Sequence, residues 1–371
     1  MRLITSTRRK FIGHASAAAA AACVPATRAL AAQDGTPSLG ALGASKGILF
    51  GTAYDSEVLA PSAFSDLYVW QARIFTSNNF MKFGSLRPTE KGADFALADS
   101  LVDFARARGI LVRGHNLIWN DWTPDWLRMS SSRRVTYWLD RHIEETVAHY
   151  RGKLHSWDVV NEPFWPGHGN KEGYRSGPWY EALGKKYVIR ALKRAHAADA
   201  SAKLVINESG PEWEHYWGMD SGPVRKGLLR LIDEVRESGA RLDAVGLQCH
   251  WMADFKFNPE SFLAYLQELA ARKLAIYLTE LDISDAKIEG SVAERDAEVA
   301  RRYHQILSTA LKVPEVKIVQ TWELSDNATW QREEPYLGPG GRLTRPLPFD
   351  EALQPKAAYE AIARAFSEAQ R

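Results

Sequence analysis

The stretch Ser156-Trp157-Asp158-Val159-Val160-Asn161-Glu162-Pro163 reads as a short buried strand that stops in an amide, a carboxylate and a proline. Its apolar residues run on instead of alternating, as expected where both faces of a strand are covered. Seven other runs share this character: Ile48–Ala53, Arg73–Thr76, Leu111–Ile118, Lys203–Ile206, Ala244–Gln248, Ala275–Thr279 and Val316–Trp322. Between them lie segments with helical spacing: Ala98–Arg108, Val135–Tyr150, Tyr180–Ala198, Val224–Ser238, Pro259–Arg272, Ala293–Leu311 and Lys356–Ala369. Arg108-Gly109 and Ser238-Gly239-Ala240 look like helix C-caps. Eight strands, each followed by a helical segment, predict an α/β fold, a (β/α)8 TIM barrel, as one domain over residues 48–371. A doubly wound open sheet is the competing arrangement. No Gly-x-Gly-x-x-Gly follows the first strand, which weighs against it.

In such a barrel the chemistry sits where strands end and loops begin. The ends carry Ser77-Asn78-Asn79-Phe80-Met81-Lys82, His115-Asn116-Leu117-Ile118-Trp119-Asn120, Asn161-Glu162, Asn207-Glu208-Ser209, Gln248-Cys249-His250, Glu280-Leu281-Asp282 and Trp322-Glu323, with Trp330 beyond. A lone Glu is most simply a solvated loop carboxylate, but seven strand ends converge here on polar and aromatic side chains. Two carboxylates on opposed strands suit glycosidic cleavage, in which one group protonates the leaving oxygen and the other attacks or activates water. His250 is expected to orient Glu280, with Asp282 holding the imidazole. His115, His250 and the nearby acids also raise a metal barrel as an alternative. The sequence has no His-x-His or His-Glu-x-x-His spacing, so no metal and no other cofactor is expected.

Composition sets the setting. The chain has 371 residues, 45% hydrophobic and 25% charged, and thirteen Trp. Core packing accounts for about half of those Trp, and flat surfaces that stack on sugar rings suit the others. Residues 1–31 read as a twin-arginine-type signal: Arg8-Arg9-Lys10-Phe11-Ile12, an alanine-rich run to Ala22, and cleavage after Ala31. A lipoprotein anchor at Cys23 is the weaker alternative, and the apolar run is too short to span a membrane. Residues 32–47 then form an N-terminal leader. Removing Arg2, Arg8, Arg9, Lys10 and Arg28 turns the formal charge of +2 into −3, so nucleic acid is not an expected partner. The expectation is an exported, disulfide-free monomer, periplasmic or extracellular, without stable membrane insertion.

Gly114-His115-Asn116-Leu117-Ile118-Trp119, Trp157-Asp158-Val159-Val160-Asn161-Glu162, Gly246-Leu247-Gln248-Cys249-His250 and Thr279-Glu280-Leu281-Asp282-Ile283 together resemble glycoside hydrolase family 10, the (β/α)8 xylanase family. Pro348-Phe349-Asp350 and Pro355-Lys356-Ala357-Ala358-Tyr359 extend the likeness, which covers residues 48–366 in order. The resemblance implies a β-linked polysaccharide or oligosaccharide as substrate, and retention by double displacement, with Glu162 as acid/base and Glu280 as nucleophile. It also implies that Lys82, His115, Trp119, Asn161, Gln248, His250 and Trp322 enclose the sugar on the non-reducing side of the cut, with Asn79 and Trp330 one sugar further out. The outer positions depart from the family. Asn78 stands where Glu is usual, Trp122 replaces a hydrogen-bonding Gln, Asn207-Glu208-Ser209 replaces Asn-Asp-Tyr, and Glu323 replaces Gly. Asn78, Trp122, Asn207 and Glu323 are therefore candidate specificity residues. Three readings stay open: an endo-β-1,4-xylanase, a β-glycosidase on a non-xylan glycan or glycosylated metabolite, and a carbohydrate binder without chemistry.

Overall fold

The computed structural model describes residues 37–371 apart from Trp217 and Gly218; the proposed signal and the start of the leader lie outside the described residues. Eight parallel strands close on themselves: β1 Leu49–Tyr54, β2 Ile74–Ser77, β3 Leu111–Trp119, β4 Ser156–Asn161, β5 Lys203–Glu208, β6 Ala244–Leu247, β7 Ala275–Ser284 and β8 Val316–Thr321. Neighbours pair in sequence order, and β8 returns to pair with β1, where Leu49 sits opposite Ile318. The expected (β/α)8 barrel is what the chain forms, and the helices lie outside it.

Among the described residues ten helices of six residues or more flank the barrel: α1 Leu39–Ser45, α2 Ala63–Gln71, α3 Ala96–Arg106, α4 Ser132–His149, α5 Pro178–Leu183, α6 Lys186–Ala198, α7 Gly222–Glu237, α8 Pro259–Ala271, α9 Val292–Ala310 and α10 Ala357–Glu368. Their buried stripes follow the spacing read from the sequence. In α4 the buried residues are Val135, Trp138, Leu139, His142, Ile143, Thr146 and Val147, which all lie on one face. Gly109 and Gly239 take left-handed φ values of 68° and 70°, as C-capping glycines do.

Three local readings change. The expected helix Tyr180–Ala198 is two helices, because Gly184 leaves helical space at φ 56°, ψ −158° and starts a new direction. The unforeseen α2 buries Leu67, Tyr68 and Gln71 in a run of apolar residues with no clear helical spacing. The 32–47 stretch contains α1, whose Leu39 is buried and donates its backbone N–H to Gln71 Oε1 at 2.8 Å. Lys46 Nζ reaches Ala369 O at 2.8 Å, so α1 ties the start of the barrel to α10.

Inside the barrel the side chains stack in layers. Ile74, Val205, Ala244, Tyr277 and Ile318 form an apolar plug. Above it Arg113 pairs with Asp158 and donates to Gln320 Oε1 at 2.6 Å, and Gln320 bonds Thr76 at 3.0 Å. The next residues inward along these strands belong to the cleft. Strand β7 runs five residues past its expected end because Asp282–Ser284 pair with the short segment His250–Met252.

Candidate active site

Strand geometry delivers the two carboxylates. Glu280 lies within β7, and its N–H donates to Gln248 O at 3.0 Å. Glu162 follows β4 with φ 50°, its N–H held by Asn207 O at 2.8 Å. A lattice of amides joins the pair. Asn207 Nδ2 donates to Glu280 Oε1 at 2.7 Å and to Asn161 Oδ1 at 2.8 Å, while Asn207 Oδ1 accepts from Thr279 Oγ1 at 2.7 Å. Gln248 Nε2 donates to Glu162 Oε1 at 2.9 Å and reaches Asn161 Oδ1 at 3.4 Å. The second Glu162 oxygen accepts from Trp119 Nε1 at 3.2 Å and pairs with Arg175 Nη2 at 2.7 Å.

The two carboxyls have different surroundings. His250 stands between Glu280 Oε2 at 3.2 Å and Asp282 Oδ2 at 3.0 Å, one ring nitrogen toward each. Burial opposes its charge, but the Asp282 and Glu280 carboxylates hold its pKa well above the usual imidazole range. Burial alone would push the Glu280 carboxyl up. The hydrogen bond from His250, the His115 and His250 charges and the bond from Asn207 outweigh it and hold Glu280 down to about 2. Glu280 is thus an ionised, 4% exposed carboxylate at neutral pH, aimed by two donors. Asp282 also accepts from Trp330 Nε1 at 2.7 Å, which places that ring beside the imidazole.

Around this centre the cleft is aromatic on one side and polar on the other. Trp119 and Trp122 stack with centroids 6.0 Å apart, and Lys82 Nζ lies 4.5 Å from the Trp122 ring centroid. Burial lowers Lys82 to about 8, against the pull of Glu280, Glu162 and Asp55. His115 rests on Asp158 at 2.9 Å and meets Trp322 edge to face. Asn79 bridges Asp55 Oδ2 and Lys82 Nζ, both at 3.2 Å. Glu323 is buried, accepts from Tyr68 OH at 2.7 Å and from Asn78 Nδ2 at 3.4 Å, and burial pushes its carboxyl up to about 8. A cavity of about 280 Å³ opens beyond His250 and Asp282, lined by Trp213, Trp251, Phe255, Trp330 and Tyr336.

The structure gathers the sequence-derived residues at one end of the barrel, with one change of place. Asn207, grouped by sequence with the outer pocket, is buried beneath the centre and bonded to Glu280. Two residues escaped the sequence reading. Arg175 pairs with Glu162 and Asp121 from an irregular loop that no motif marks. Asp158 carries His115 and Arg113, and a charge inside an otherwise apolar strand was its available signal. Among the described residues no cluster of three or more His, Cys, Asp or Glu side chains is arranged to hold a metal ion. Trp138, Trp157, Trp179, Trp213, Trp251 and Trp322 are buried, whereas Trp119, Trp122 and Trp330 keep exposed surface along the cleft.

Known proteins share this architecture. A family model described as Glycosyl hydrolase family 10 matches residues 38–365. The chain is 30% identical over 325 residues to endo-1,4-beta-xylanase C of Phanerodontia chrysosporium, covering 86% of this chain and 76% of that one. It is 32% identical over 292 residues to endo-1,4-beta-xylanase B of Thermotoga neapolitana, covering 78% of this chain and 79% of the relative. Xylanase 10B from Thermotoga petrophila, solved in complex with xylobiose, superposes with a TM-score of 0.81 at 27% identity over 90% of this chain and 98% of that one.

Proposed function

The chain belongs to glycosyl hydrolase family 10 and is an O-glycoside hydrolase acting on β-1,4 bonds, and from that premise we propose that it is an endo-β-1,4-xylanase working with retention. The observation that carries this reading is the pairing of the carboxyls at one end of the barrel. Glu280 is held ionised by His250 and Asn207, and Glu162 is joined to it through the amides of Gln248, Asn161 and Asn207.

In the proposed double displacement, a Glu280 oxygen bonds to the anomeric carbon as the glycosidic C–O bond breaks. Glu162 gives its proton to the departing oxygen. Glu162, now ionised, takes a proton from water as that water attacks the anomeric carbon and the ester bond to Glu280 breaks. The sugar leaves with its β configuration, and both carboxyls return to their starting states. Lys82, His115, Asn161, Gln248 and Trp322 would surround the sugar before the cut, with Asn79 and Trp330 beyond it. Export through residues 1–31 belongs to the same proposal and rests on Arg8-Arg9 and the apolar run after them.

A second substrate reading has a specific observation behind it. Trp122 is 41% exposed and presents a ring where the family resemblance implies a hydrogen-bonding Gln. That surface favours a β-linked glycan other than plain xylan. Product profiles on xylan, mixed-linkage glucan and β-linked oligosaccharides decide between the two. Internal cuts in xylan support the first reading, and failure on every xylo-oligosaccharide rejects it.

A further inference from the structure

Three non-glycine residues at cleft-facing strand ends adopt left-handed backbone: Glu162 at φ 50°, Cys249 at φ 61° and Glu323 at φ 77°. A side chain in that region costs free energy and persists where the surrounding structure imposes it, which is commonly at functional sites. Glu162 and the residue before His250 belong to the centre already described. Glu323 has no part in that chemistry, yet it carries two costs. Its Cβ sits in left-handed backbone, and its carboxyl is 3% exposed. A glycine would remove both.

What Glu323 holds in return is Asn78. Its Oε2 is anchored by Tyr68 OH at 2.7 Å, and Tyr68 OH in turn receives the Leu324 N–H at 3.0 Å. The other oxygen, Oε1, takes the Asn78 amide nitrogen at 3.4 Å. Among the described residues Asn78 Oδ1 accepts no hydrogen bond, and Asn78 is only partly buried. Its neighbour Asn79 is tied to Lys82 and Asp55, so the pair stands on the rim of the cleft. The carboxylate lacking at position 78 thus reappears behind that position, delivered from the end of β8.

We propose that Glu323 is a specificity-determining positioning residue, holding the Asn78 amide so that its carbonyl oxygen accepts a hydroxyl of the second sugar from the cut. This rests on the xylanase-like reading above. The group it prepares is neutral and fixed, where a single carboxylate would be charged and mobile. The sugar hydroxyl donates to Asn78 Oδ1, and Glu323 itself does not touch the ligand.

The test compares aryl β-xyloside, which fills only the position at the cut, with aryl β-xylobioside, which also fills the next one; the aryl β-glucoside and β-cellobioside serve as a second pair. Glu323→Gly should lower kcat/KM on the disaccharide substrate about tenfold and change the monosaccharide substrate by less than about twofold. Glycine suits φ 77° but leaves the buried Tyr68 OH without its acceptor, so the readout is the ratio of losses on the two substrates, which a loss of stability alone would not change. Glu323→Gln keeps an acceptor for Asn78 and should stay within about threefold of wild type on both. Asn78→Ala should reproduce the Glu323→Gly loss, and the double variant should add nothing to it. Equal losses on both substrates, or no loss on the disaccharide, would overturn the proposal. A wild type inert on both pairs would instead overturn the substrate reading beneath it, and that result is read before any variant is made.

Discussion

The Asn207 amide nitrogen lies 2.7 Å from Glu280 Oε1 and donates to it, while the carbonyl end of the same amide accepts from Thr279. Asn207 is therefore fixed at both ends and aims the carboxylate proposed to attack. Asn207→Ala should lower kcat/KM about 10–100-fold, the loss expected for removing one hydrogen bond to a charged group. The loss should be the same for one-sugar and two-sugar aryl glycosides. A loss confined to the longer substrate would return Asn207 to the outer pocket.

His250 and Glu280 set the acid side of the pH profile. The imidazole holds the carboxylate down, so His250→Ala leaves burial to push Glu280 up. In the proposed mechanism Glu280 attacks only when ionised. The acidic limb of kcat/KM should therefore move to higher pH, by a unit or more on the order of magnitude of one lost ion pair. An unmoved limb in a pH-rate series with an activated aryl glycoside would remove His250 from this role.

Glu162 touches the leaving group in the proposed mechanism, so its loss should depend on that group. Glu162→Ala should depress hydrolysis of xylo-oligosaccharides by about 10²–10⁴-fold, the usual worth of general acid catalysis. A dinitrophenyl glycoside, which leaves without help, should lose far less in the bond-breaking step. Equal losses for both would argue against proton donation by Glu162.

Glu212 shows what the site costs the fold. It is buried, accepts the Cys249 N–H at 2.8 Å behind His250, and burial raises its carboxyl from 4.5 to about 7. The folded state thus holds this proton more tightly than the unfolded chain. That contribution is fully present below about pH 4.5 and is lost as pH rises through 7. Glu212→Gln mimics the neutral form and keeps the acceptor. Its stability advantage over wild type should grow between pH 5 and 8, reaching about 2–3 kcal/mol. A constant difference across that range, measured by denaturant melts, would exclude the titration of Glu212.

The barrel was legible because its strands are buried on both faces. Uninterrupted runs such as Ala275–Thr279 mark such strands, and polar residues crowd at their ends. Position on those ends pointed to Glu162 and Glu280 as candidates and to the contact of His250 with Asp282, which lie 3.0 Å apart. What sequence alone hid depends on contacts across the barrel. Nothing local to Asn207 tells an outer-pocket residue from one beneath Glu280, since that is settled by β5 and β7 meeting across the amide. Arg175 reaches Glu162 from a loop without periodicity. The burial of Glu323 depends on Tyr68, which comes from a helix whose apolar residues have no clear pattern.

The central claim is that Glu280 forms a covalent bond to the sugar. Incubation with a dinitrophenyl 2-deoxy-2-fluoro-β-xylobioside, followed by proteolysis and mass spectrometry, tests it most directly. The fluorine slows release of the intermediate while the activated leaving group still departs. One equivalent of the fluorinated disaccharide on the peptide containing Glu280, and none in Glu280→Ala, is the predicted result. Label on a different carboxylate, or steady turnover of the reagent by Glu280→Ala, would contradict it.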